Sequence, residues 1–257
     1  MGTFVTNLHV HQGSREHVVA TLRSLRIVPA YVRGSGDVWI SIFPEAADQD
    51  DAALPEMARA LSKALNRPVI AFIVHDSDVF LYWLYEGGKE LDRYNSAPGF
   101  FTDKEAPPEG GNPEKLKVCR PPNFSKDQLW RLLHPEEVAS EQPVRKTDRA
   151  AVRDAVRKKL RQSYPALAAK MPNPPSLEEF LAQAETRWAD MEGPNDEPRS
   201  AAKEFVFAED RMVELAKLLG IPDGPVIDSY RYLVNGEGAP GTLTLVQAEG
   251  ESSVRIE

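Results

Sequence analysis

The sequence predicts an α+β protein built on a ferredoxin-like split βαβ sheet, with element order β-α-β-β-α-β plus a hairpin and a helical and β-hairpin C-terminal part. Two observations predict it. Apolar residues alternate with period two over short β-branched and aromatic runs, and two amphipathic helical stretches fall between those runs. Only the connections through these two helices are long enough to join parallel strands, which argues against a doubly wound sheet.

Thr3 to His11 reads as the first strand, with Phe4, Thr6, Leu8 and Val10 on one face and Val5, Asn7, His9 and His11 on the other. Gly13 breaks it. Ser14 is a cap for a helix whose stripe is Val18, Val19, Leu22 and Leu25. Ala30 to Arg33 reads as a short strand and Val38 to Phe43 as a longer one. An acidic loop, Pro44 to Asp51, leads to a helix marked by Leu54, Met57, Leu61 and Leu65 and stopped at Asn66-Arg67-Pro68.

Val69 to Val74 is apolar on both faces, as a central strand would be. His75-Asp76-Ser77-Asp78 turns the chain into a strand over Val79 to Tyr85, and Gly87-Gly88 turns it into Glu90 to Tyr94. Ala97 to Asn123 reads as a long surface connection. Helices are expected after Ser125, from Val144 to Arg161, after Ser176, and from Phe205 to Leu219 with Gly220 as the stop. Val226–Leu233 and Thr242–Val246 read as strands. This organises the chain as an α+β core over 1–96, a loop-rich and helical insertion over 97–200, and a C-terminal part over 201–257 packed on the core.

Length, charge and cysteine usage narrow the function classes. A 257-residue chain with net charge −8 disfavours phosphate backbones and anionic lipid as partners. A single cysteine, Cys119, allows no intrachain disulfide and fits a reducing, cytoplasmic setting. No apolar stretch approaches the roughly 20 residues that a membrane helix needs, so no membrane association is expected. Phosphate-loop, dinucleotide-fingerprint, nucleophile-elbow, H-E-x-x-H and C-x-x-C patterns are absent, which counts against an enzyme.

Two stretches carry a resemblance. Trp39-Ile40-Ser41-Ile42-Phe43, Asp48-Gln49-Asp50, Pro68 to Asp78 and Asp92-Arg93-Tyr94-Asn95-Ser96 form one; Leu218-Leu219-Gly220-Ile221-Pro222 with Ser229-Tyr230-Arg231-Tyr232 forms the other. Together they resemble a family of bacterial proteins of unknown function. The resemblance implies a shared domain and transfers no catalytic residue.

Several candidate sites follow from residue chemistry. His75, Asp76 and Asp78, with Glu45 and Asp48 leaving the same sheet edge, are oxygen and nitrogen donors that could hold a divalent cation. The same residues also suit a plain turn. No other cofactor is expected. His9 and His11 form an H-x-H pair, but the proposed topology puts them at the opposite sheet end from His75.

Basic neighbours would activate Cys119, unless it is a passive packed thiol. Tyr82, Trp83, Tyr85 and Tyr94 crowd the hairpin and form a partner-binding surface if the C-terminal half leaves them open. Arg145 to Arg161 is dense in Arg and Lys, yet without interleaved aromatics it is a weak nucleic-acid contact. The leading expectation is a non-catalytic protein-interaction protein of immunity or adaptor type, with another protein as partner. A metal-dependent hydrolase and a nucleic-acid contact are the alternatives. The sequence fixes no oligomeric state.

Overall fold

In the computed structural model the described residues are 2–34, 38–100, 106–119, 124–135, 175–181, 207–238, 242–248 and 254–256. The chain divides into two units, one of residues 1–136 with 204–257 and one of residues 137–203. Residues 97–136 thus belong with the N-terminal core. The basic stretch 145–161 lies outside the described residues.

The first unit is α+β around one open, antiparallel sheet. Its strands are β1 (Val5–His11), β2 (Ala30–Arg33), β3 (Trp39–Pro44), β4 (Val69–His75), β5 (Val79–Glu86), β6 (Lys89–Asn95), β7 (Glu109–Gly110), β8 (Leu243–Val246) and β9 (Val254–Ile256). The described strands lie in the order β7-β6-β5-β4-β1-β3-β2-β8-β9, each antiparallel to its neighbours. Since β3 and β4 both run against β1, they leave the sheet at one end.

Helices α1 (Arg15–Ser24) and α2 (Ala53–Leu65) cover one face. Val18, Leu22, Leu54, Ala58 and Leu61 pack there on Leu8, Val10, Ile40, Ile42 and Ala71. Ser14 caps α1 by accepting from the His17 amide. Asn66, at φ 49°, closes α2 in the left-handed conformation. The opposite face carries the other residues of each alternation, Val5, Phe72, Val74, Phe80, Tyr82 and Tyr94. It is covered by α3 (Pro113–Leu116), α4 (Lys126–Leu133) and α5 (Ala208–Leu219) through Leu116, Leu129, Leu133, Met212, Leu215 and Leu219.

Two sequence expectations need correction. The 97–123 connection is more than a surface loop. Asn112 caps α3 with Pro113 at its first turn, and Leu116 and Cys119 enter the core. Val226–Leu233 is not a strand. It forms α6 (Asp223–Val226) and α7 (Tyr230–Val234). Pro225, directly before the segment, has no amide to donate to a ladder, and the carbonyls of Pro225, Val226 and Asp228 accept from the Asn7 amide instead of from a neighbouring strand.

In the second unit, residues 177–181 are helical behind a capping box. The Glu179 amide donates to Ser176 Oγ, and Glu179 Oε2 accepts from the Ser176 amide at 2.8 Å.

Candidate functional site

The β3 and β4 exits bring the predicted acidic residues to one end of the sheet. After β3, Glu45–Ala47 makes a single 3-10 turn. Asp50 then caps α2, its Oδ1 accepting from the amides of Ala52 and Ala53 at 3.0 and 2.8 Å. Between them Gln49 adopts φ 61° and turns its side chain inward. Gln49 Nε2 lies within hydrogen-bond reach of Thr6 Oγ1 at 2.9 Å and of the carbonyls of Val5 and Val74 at 3.2 and 3.3 Å. Its Oε1 faces His75 Nδ1 at 3.2 Å. An amide oxygen only accepts, so His75 carries its hydrogen on Nδ1. The loop is pinned across the ends of β1 and β4 by one neutral side chain, which the sequence reading did not single out.

The His75–Asp78 turn has φ 51° at Asp76 and 61° at Ser77, with the Asp78 amide donating to His75 O. Positive φ at both central residues marks the type I′ hairpin geometry. Ser77 ties the turn to two other segments, the N-terminus and the start of α5. Its Oγ accepts from the Thr3 amide at 2.7 Å and donates to Glu209 Oε1 at 2.9 Å, and its carbonyl accepts from the Ala208 amide that opens α5. Asp48 is half-buried, and burial raises its pKa against the opposing pull of Arg231 Nε, 3.6 Å away, and of the Thr6 hydroxyl. Glu45, Asp76 and Asp78 are exposed. Among the described residues no three His, Cys, Asp or Glu side chains converge as a metal site.

At the other end of β1, His9 and His11 are buried. His9 Nε2 donates to Asn7 Oδ1 at 2.8 Å, because both Asn7 hydrogens point at carbonyls. His9 Nδ1 therefore accepts from Ser41 Oγ at 2.9 Å. A serine held by an imidazole is the arrangement of a base-activated nucleophile. Here it is sealed, and burial pushes the His9 pKa down to about 3, so the imidazole is a poor base at neutral pH. The cluster acts as a polar clasp under the C-terminal segment. Arg33 and Asp228 reinforce it with a buried ion pair. His11 packs on the Trp39 ring at 4.8 Å.

Of the hairpin aromatics, Tyr82, Tyr85 and Tyr94 are buried and Trp83 is half-buried. Tyr82 and Tyr94 are covered by α4 and α5, whereas Tyr85 and Trp83 pack on the face that α1 and α2 cover. Tyr94 Oη donates to Leu133 O at 2.7 Å and accepts from Arg211 Nη1 at 2.6 Å, and Tyr82 Oη donates to Asp92 Oδ2 at 2.7 Å. Three of the four rings thus present no open surface. Cys119 lies in the same core, its thiol pushed up to about 12 chiefly by burial and further by Glu86, which removes the activated-thiolate reading.

The cleft at the start of α1, about 660 Å³, is open and lined by Gln12, Gly13, Ser14, His17, Val38, Leu65 and Arg67. No described helix is long and apolar enough to cross a membrane.

Comparison with known proteins gives no relative. Protein-family models, curated proteins and solved structures each returned no match.

Proposed function

We propose that this chain is a non-catalytic protein-interaction protein, of immunity or adaptor type, that binds a basic partner protein through the acidic end of its sheet. One observation carries the reading. At that end Gln49, His75, Ser77 and Glu209 are bonded within the chain, whereas Glu45, Asp51, Asp76, Asp78 and Asp210 are exposed on the frame those bonds hold. Pre-placed carboxylates favour association with a complementary basic surface, mainly through specificity and on-rate. The strand order β4-β1-β3-β2, with α1 and α2 on one face, supports a ferredoxin-like split βαβ scaffold beneath it. The single, buried cysteine supports a cytoplasmic setting.

Native mass spectrometry of the untagged protein from its own host, beside the E45K/D51K/D78K variant, tests this. None of the three side chains holds a bond that the frame needs. The expected result is a stoichiometric basic protein that dissociates above about 0.5 M salt, where screening is nearly complete, and that the variant does not retain. A partner kept by the variant, or a tightly held divalent ion with ester or phosphate turnover, would overturn the reading.

A further inference from the structure

We draw no further inference here: the strongest candidate, the open cleft at the N-terminal end of α1 between Gln12, Ser14, His17 and Arg67, is a helix N-terminus for which nothing among the described residues gives a second observation that points to a ligand.

Discussion

Asn7 carries no charge and sits mid-strand, where asparagine is ordinarily unfavourable. Its amide nevertheless faces His9 and three carbonyls more than two hundred residues away in sequence. Truncating it leaves those buried groups without partners, and each such group costs about 1–3 kcal/mol. Asn7→Ala is therefore expected to lower unfolding free energy by about 3 kcal/mol, read as a shifted urea midpoint at unchanged slope. A shift below about 1 kcal/mol would mean that packing and the Arg33–Asp228 ion pair hold the C-terminal segment without the Asn7 amide.

Ser77 poses a subtler balance. Its φ of 61° costs an L-residue roughly 1–2 kcal/mol, which glycine would relieve, but glycine forfeits the bonds to Thr3 and Glu209. Two such bonds contribute about 2 kcal/mol together. Ser77→Gly is therefore expected to be neutral to about 1 kcal/mol destabilising, whereas a clear gain in thermal midpoint would show that strain outweighs the anchors.

At the scale of elements, β1 to β6, α1, α2 and α5 were legible because each alternates, repeats at helical spacing or, like β4, is a short apolar run, and each is bounded by a turn or capping signal. Val5 to His11 alternates, Leu54 to Leu65 repeats at helical spacing, and Gly220 closes α5 at φ 75°. The segment Val226–Leu233 misled for the opposite reason. Its β-branched residues favour a strand, yet its carbonyl partners lie on β1, and tertiary bonding overrides propensity. The candidate site was legible only in part. The shared exit of β3 and β4 follows from topology, but Gln49 gave no signal, since a loop glutamine is unremarkable until its neighbours are known.

The clasp on β1 also sets a pH dependence. His9 titrates near 6.5 when unfolded and near 3 when folded, so between those values the unfolded chain binds the extra proton. Stability is then full above about 6.5 and falls as pH drops toward 3, by up to ~5 kcal/mol from this group. Asp48 and Asp92, whose pKa values burial raises, act in the opposite sense over the carboxylate range. Urea titrations from pH 7 to pH 4 should show a shallower loss for His9→Gln than for the parent chain. Parallel curves would remove His9 as the cause.

At the scale of the whole molecule, the chain leaves the first unit after α4 and returns before α5, with residues 137–203 forming a unit of their own. The exit and the return are tied together inside the first unit. Tyr94 Oη joins the last carbonyl of α4, at Leu133, to Arg211 in the first turn of α5, and the two helices share one core with Leu129, Met212 and Leu215. The sheet, both of its helical covers and the acidic end all belong to the first unit. Its stability should therefore not need the second unit. Replacing 137–203 by about ten Gly/Ser residues, which span roughly 17 Å on average, is expected to leave a cooperative unfolding transition. Amide protection in β1 and β4 should match the full chain. The loop-closure cost falls by about 1.7 kcal/mol on such shortening, so a midpoint equal to the parent's or several degrees above it is the expected result. Tyr94→Phe in the shortened chain should then cost about 2 kcal/mol, because it removes both bonds that hold the junction. Loss of cooperativity on excision alone would mean that the second unit supplies part of the first unit's core.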